Sequence, residues 1–336
     1  MIKVATEKLS QSINLTQEEM HSVMEEIMTG KTETSQIVAF LTALNKKGET
    51  EEELTAAAEV MRKHVTRIRT HKEVVLDTCG TGGDRKGTFN VSTIVAFVAA
   101  GAGITVAKHG NRSVSSYCGS ADILEALGVK IDMDAEGLEK CLNEIGIAFL
   151  FAQKLHPAMK FAMPARKQIG AKTMFNILGP LTNPAGANHQ LVGVYDSRRL
   201  EVLARVLGNL GTVHALVVHG EDGLDEITTT TSTLVSEVKR GKITNYQIIP
   251  EDFGLKIARM QDLAGGTVSI NAQILQDVLN GKLGAQRDIV VLNAAAAIYA
   301  ADKASSIREG IKLAVQSLDS KKALEKLEIL KEYSKR

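Results

Sequence analysis

The hydrophobic pattern changes character near Val74. Before it, residues 1–70 read as helix only. Thr16-Gln17-Glu18-Glu19 forms a capping box, in which the Thr hydroxyl and the Glu three positions on satisfy each other's orphan backbone donors. Gly30 follows as a stop signal, and Thr50-Glu51-Glu52-Glu53 repeats the box ahead of an Ala-rich helix running toward Arg69. This block contains no proline and reads as a small helical domain.

After Val74, apolar runs break into polar turns. VVLDTCGTGGD is a short strand followed by a Gly-rich turn, and ITVAKHG, QLVGVYD and VHALVVHG follow the same grammar. Helical patterns such as 197–210 lie between them, and SVSSYCGSADILEALG reads as a loop entering a helix. This alternation predicts an α/β domain with a mostly parallel sheet. Ligands bind such sheets at the carboxyl ends of the strands. The polar residues of interest fall there, after Leu76, Ala107 and Val218. Four of five prolines (Pro157, Pro164, Pro180, Pro184) cluster in one stretch of shaped backbone, and the chain returns to helix from Asn271.

Composition narrows the class. A chain of 336 residues suggests about two domains and buries a real core. The net charge of +1 argues against broad binding of nucleic acid. Cys79, Cys118 and Cys141 are odd in number and form no CxxC, which excludes a disulfide scaffold and points to a reducing, cytoplasmic setting. The N-terminal MIKVATEKLSQSI lacks a signal peptide's apolar run, and no stretch of ~18 apolar residues suggests a membrane span. There is no tryptophan, the best aromatic platform for stacking.

The chemistry concentrates in a few motifs. Asp77-Thr78-Cys79-Gly80-Thr81-Gly82-Gly83-Asp84 lets backbone N–H groups approach an anion. It is neither GxGxxG, because Arg85 stands where the third Gly belongs, nor a Walker A loop, because Thr88 follows Gly87. A plain tight turn is the competing reading. Asn90-Val91-Ser92-Thr93 starts the next helix, as a cap or as phosphate contacts and a Mg²⁺ ligand. Lys108 to Ser116 is dense in hydrogen-bond donors and suits phosphate, against the alternative of a solvated basic loop. Arg166 suits a planar carboxylate, although a surface Arg is the default. Asp225-Glu226 is either a hard-cation site or a solvated acidic turn. His214 and His219, five apart on a strand, point to opposite faces and are no metal pair. With no GxSxG and no base-activated nucleophile, the chemistry reads as transfer driven by a good leaving group.

Six elements, DTCGTGGD (77–84), NVST (90–93), KHGNRSVSS (108–116) with GSAD (119–122), HPAMKFAMPARKQIG (156–170), FNILGPLTNP (175–184) and HGEDGLDE (219–226), together resemble the anthranilate phosphoribosyltransferase family of tryptophan biosynthesis. The resemblance spans nearly the whole chain. It implies a nucleoside phosphorylase/phosphoribosyltransferase-like fold: a helical domain over 1–70, joined by about 166–190, and an α/β domain over 71–336. It also implies a homodimer through the helical domain, and transfer of phosphoribose from 5-phosphoribosyl 1-pyrophosphate to anthranilate. Carried over, Gly80, Gly83, Asp84, Thr88, Asn90, Val91, Ser92, Thr93, Lys108, His109, Gly110, Asn111, Arg112, Ser113, Val114, Ser115, Ser116 and Ser120 would bind the pyrophosphate donor. Ser92, Asp225 and Glu226 would hold Mg²⁺. Gly80, His109, Asn111, His156, Arg166, Gly179 and Pro180 would serve anthranilate, with Lys108, Asn111 and Arg166 positioning the reactants. Tyr117 and Cys118 depart from the smaller or charged residues expected in the basic loop, and Cys79 is assigned no role. The competing readings are a pyrimidine nucleoside phosphorylase-like enzyme and a non-catalytic nucleic-acid-binding homologue. No nucleic acid or membrane partner is expected.

Overall fold

The computed structural model describes residues 1–113 and 118–336. It opens with α1 (Ile2–Ser10), α2 (Gln17–Met28), α3 (Thr34–Lys47) and α4 (Glu51–Lys63). Both capping boxes form: Thr16 with Glu19, and Thr50 with Glu53. α2 stops at Met28, with Gly30 beyond it at φ 72°. The Ala-rich helix ends at Lys63, short of the expected Arg69. Tertiary bonds account for this, because the Thr66 N–H donates to the Leu155 carbonyl and the Ile68 N–H to the Pro184 carbonyl.

The strands are β1 (Leu76–Gly80), β2 (Val106–Gly110), β3 (Ile147–Phe151), β4 (His189–Gly193), β5 (His214–Gly220), β6 (Thr233–Lys239) and β7 (Lys242–Ile248). Among the described residues they form one sheet in the order β3-β2-β1-β4-β5-β6-β7. The first five strands in chain order run parallel, and β6 and β7 close the sheet antiparallel. The remaining helices are α5 (Val91–Gly101), α6 (Ser120–Ala126), α7 (Ala135–Lys140), α8 (Ala152–Leu155), α9 (Met163–Ile169), α10 (Met174–Leu178), α11 (Leu200–Asn209), α12 (Val268–Leu279), α13 (Ala285–Ala300), α14 (Ile307–Asp319) and α15 (Lys322–Tyr333). β3 and the β6–β7 hairpin are absent from the sequence reading above. The hairpin turns on Arg240 and Gly241, at φ 49° and 78°, the pair of positive values that a two-residue turn between twisted strands requires.

Alternate residues of the buried strands feed two cores. Leu191 and Leu216 join α5, α13, α14 and α15 on one face. Val192 and Val217 face the other way, into a core shared with α11, α1–α4 and Met174, Phe175 and Leu178 of the proline-rich stretch. The chain leaves β1 toward β2 and β3 on one side and reaches β4 and β5 on the other. Such a reversal opens a crevice between β1 and β4 at their carboxyl ends. Among the described residues, no helix is long and apolar enough to cross a membrane.

Candidate active site

Gly80 and Gly193 end β1 and β4 as register partners, and both make room for Asp225. A Cβ at Gly80 would lie 2.8 Å from Asp225 Oδ2, and one at Gly193 would lie 1.6 Å from the Asp225 carbonyl oxygen. The turn beyond β1 continues through Gly82 and Gly83 at φ 64° and 80°. The Gly82 N–H donates to Asp225 Oδ2 at 2.9 Å. The Ser92 N–H, at the start of α5, donates to Glu226 Oε1 at 3.1 Å. Two backbone donors suited to an anion thus rest on two carboxylates.

Those carboxylates are crowded. Burial, then the nearby Asp84 charge, pushes the Asp225 carboxyl up to about 7. Burial and the Asp225 charge push Glu226 well above the carboxylate range, against the pull of Lys108. Both side chains keep partial solvent access. Clustered negative charge at a cleft mouth suits a hard divalent cation. Among the described residues, no group of three or more His, Cys, Asp or Glu side chains is arranged to hold a metal. A cation here would therefore take ligands from water and substrate, the habit of Mg²⁺.

Lys108 approaches from β2 and is 4% exposed. Its Nζ donates to the Thr78 carbonyl at 2.5 Å and lies 3.4 Å from Ser92 Oγ. Burial lowers its pKa, opposed by Asp77, Cys79 and Glu226. Asp77, fully buried, accepts from the His109 N–H at 3.1 Å and from Asn183 Nδ2 at 2.8 Å. Asn183 also donates to the Ala107 carbonyl at 2.8 Å, which ties the proline-rich stretch to β1 and β2. Burial pushes the Cys79 thiol well up, leaving it an inert core group.

Behind Lys108, His109 and His156 are buried with their Nε2 atoms 3.1 Å apart. Burial, followed by the neighbouring imidazole, lowers His109 to about 3, and burial lowers His156 to about 4. A backbone hydrogen bond with Gly179 braces His109. A Cβ on Gly179 would meet nothing within 4 Å, so this glycine borders open space. Pro180 is buried, and its carbonyl accepts from Gln190 Nε2 at 2.8 Å. Arg166, on α9, is half-buried with its guanidinium 5.7 Å from the Phe175 ring centroid. Burial lowers its pKa, and among the described residues no carboxylate pairs with it.

The rest of the expected set divides by position. Thr88 bridges to Ala264, and Asn90 Nδ2 donates to the Cys118 carbonyl at 3.2 Å instead of capping α5. Val91 is buried in the core, so only its backbone could meet a ligand. Thr93 is 1% exposed, and its hydroxyl has no hydrogen-bond partner among the described residues. A Cβ on Gly110 would lie 2.3 Å from Ser120 Oγ, and that hydroxyl donates to the Asn111 carbonyl. Asn111 Oδ1 accepts from the Arg112 N–H at 2.8 Å and from Gln153 Nε2 at 3.1 Å. The Arg112 guanidinium is taken up by Asp122 and Glu125, at 2.9 and 2.8 Å, and the Ser113 N–H also reaches Asp122. Val114, Ser115, Ser116 and Tyr117 lie outside the described residues. His214 sits between Asp302 and Glu237, remote from His219, whose Nδ1 donates to the Val194 carbonyl. Sequence reasoning passed over Asn271, which bonds Asn90 Oδ1 at 3.2 Å, and Lys172, which bonds the Gly83 carbonyl at 2.7 Å. The only signal for Lys172 was a cation between two carried-over motifs.

Two family models match the chain, the glycosyl transferase family a/b domain over residues 72–324 and its helical bundle domain over residues 3–65. The anthranilate phosphoribosyltransferase of Symbiobacterium thermophilum is 50% identical over 335 residues, covering 100% of this chain and 98% of that protein. That of Desulfosudis oleivorans is 54% identical over 334 residues, covering 98% of each. Among solved structures, the anthranilate phosphoribosyltransferase of Thermus thermophilus superposes with a TM-score of 0.94 at 41% identity, covering 99% of both chains. The Saccharomyces cerevisiae enzyme in complex with PRPP and Mg gives 0.90 at 28% identity, covering 99% of this chain and 98% of that one.

Proposed function

The chain belongs to the anthranilate phosphoribosyltransferase family, and from that membership we propose how its residues perform the transfer. The enzyme joins the amine of anthranilate to C1 of 5-phosphoribosyl 1-pyrophosphate and releases pyrophosphate. The observation that carries the site assignment is the pairing of the Gly82 and Ser92 N–H groups with Asp225 and Glu226. With a polyphosphate and its cation bound, the backbone donors would face phosphate oxygens, and Asp225, Glu226 and the Ser92 hydroxyl would hold the cation.

Mg²⁺, when bound there, neutralises the pyrophosphate and makes it a better leaving group. Lys108 adds a fixed positive charge from the floor of the site. The amine lone pair forms the N–C1 bond as the C1–oxygen bond breaks, its electrons leaving with pyrophosphate, and the spare amine proton passes to water. An aromatic amine is neutral at pH 7, so this step needs no strong base. The His109–His156 pair fits that chemistry, because imidazoles at about 3 and 4 are poor bases at neutral pH. Arg166 holds the anthranilate carboxylate, and Asn111, Gly179 and Pro180 shape its pocket. Much of the rate then comes from positioning and electrostatics.

The pyrimidine nucleoside phosphorylase reading leaves the Asp225–Glu226 pair without work, since inorganic phosphate needs no such cation site. The nucleic-acid reading meets a net charge of +1. A homodimer through the helical block is supported by apolar side chains standing in solvent there, Met1, Val4 and Ile13 at 51, 53 and 46% exposure. A cytoplasmic setting is supported by three buried cysteines with no disulfide. Loss of anthranilate fluorescence on adding 5-phosphoribosyl 1-pyrophosphate and Mg²⁺ tests the activity. A flat trace with active-site residues intact overturns it.

A further inference from the structure

Lys172 lies in the short connection between α9, which carries Arg166, and α10. Its Nζ donates to the Gly83 carbonyl at 2.7 Å and stands 3.0 Å from the centroid of the Tyr195 ring. Its own carbonyl accepts from Asn45 Nδ2, on α3, at 2.5 Å. One residue therefore joins the helical block, the segment bearing Arg166 and the turn beyond β1. Gly83 is shaped for this contact, because a Cβ there would lie 2.7 Å from the Lys172 Nζ. Tyr195 works from the other side of the same turn. Its N–H donates to Thr81 Oγ1 at 3.4 Å, while the Thr81 N–H donates to the Gly193 carbonyl at 2.9 Å. Burial, followed by the Arg85 charge, lowers the pKa of the ammonium, opposed by Asp225, Asp84 and Asp196.

We propose that Lys172 is a positioning residue for the phosphoribosyl donor. By holding the Gly83 carbonyl back toward the helical block, it turns the adjoining backbone N–H groups to the crevice. An ammonium has three donors, one of which is spent on Gly83 while the charge also faces the Tyr195 ring, so it brings a second positive charge beside the Gly-rich turn. The inference rests on the transferase reading of the site.

The test compares wild type with Lys172→Met, which keeps the aliphatic stem, and Lys172→Arg, which keeps the charge. Each substrate is varied at saturating levels of the other. The expected result for Lys172→Met is a KM for 5-phosphoribosyl 1-pyrophosphate raised by about tenfold or more. The KM for anthranilate stays within about twofold and the melting temperature is retained, and Lys172→Arg recovers most of the loss. Unchanged KM values overturn the proposal, as does an equal rise in both or a defect that Lys172→Arg leaves in place. If Lys172→Met does not fold, Lys172→Gln, which is neutral and one bond shorter than the lysine, carries the comparison. A wild type that leaves anthranilate unconsumed overturns the activity reading. Calorimetric titration with pyrophosphate and Mg²⁺ then decides Lys172 separately: weaker binding to Lys172→Met supports it, and equal binding overturns it.

Discussion

His109 and His156 face each other Nε2 to Nε2 at 3.1 Å, which leaves one hydrogen for two nitrogens. A proton added to the pair faces its neighbour's N–H and a dry surround, so both rings stay neutral well below the usual imidazole range. Because the folded values, about 3 and about 4, lie under the unfolded value near 6.5, the pair's contribution to stability is complete above pH 6.5. It is lost as pH falls toward 4, at up to ~1.4 kcal/mol per pH unit for each ring. Urea midpoints for wild type and a His109→Gln/His156→Gln double variant should diverge in slope between pH 6.5 and 4.5, with the variant flatter. Parallel slopes would sink the argument.

Arg166 is half-buried, and among the described residues no carboxylate pairs with it. Its replacement by Ala should raise the KM for anthranilate by about tenfold to a hundredfold, the worth of a charge-assisted hydrogen bond at ~1.5–3 kcal/mol. The KM for the phosphoribosyl donor should hardly move. Arg166→Lys should recover only part of the loss, since an ammonium cannot make two parallel bonds. Steady-state kinetics with both substrates varied checks this, and equal effects on the two KM values refute the assignment.

Asp225 and Glu226 repel one another and Asp84 in a crowded cleft. Replacing both by Asn and Gln should abolish Mg²⁺-dependent turnover while leaving the melting temperature unchanged or higher. Relief of like charges is stabilising where function demanded the strain. A Mg²⁺ titration and a thermal melt on the same preparation read both effects. A wild-type titration curve in the double variant would show the cation to be held elsewhere.

Gly193→Ala has no harmless outcome, because its Cβ would sit 1.6 Å from a backbone oxygen that no rotamer change can move. The strand end or Asp225 must shift, at ~1–3 kcal/mol for overpacking of this kind. Activity should fall with it, since Asp225 moves too. At Gly186, three residues before β4, a Cβ would meet nothing within 4 Å, so there only the φ of 63° opposes a side chain. Gly193→Ala with a wild-type melt and rate would mean that the crevice is looser than it looks.

The sequence revealed the motifs more fully than the contacts between them. Thr16 and Thr50 announced their helices because a capping box is local, four residues wide. The carboxyl ends of β1, β2 and β5 were readable because apolar runs stop there at charged residues. β3 was not, since IAFLF carries no period to separate a buried strand from a buried helix turn. Within the site, the helix-cap role open to Asn90 went instead to a bond with the Cys118 carbonyl, a partner 28 residues away. Arg112 read as a phosphate ligand, yet Asp122 and Glu125 hold it, ten and thirteen residues on. Lys172 was overlooked for the same reason, since its meaning lies in Gly83, 89 residues back.

The core that joins α4 to Leu203 and Val217 has a mechanical consequence. Ala56, Ala57 and Val60 are wholly buried in that core, so the two halves meet through packed side chains and not across a tether. Any relative movement during turnover must be a shear, small and shared among many contacts, and not a swing about one joint. For the same reason residues 1–65 are not a portable module: cut free, they would present an oily face to water.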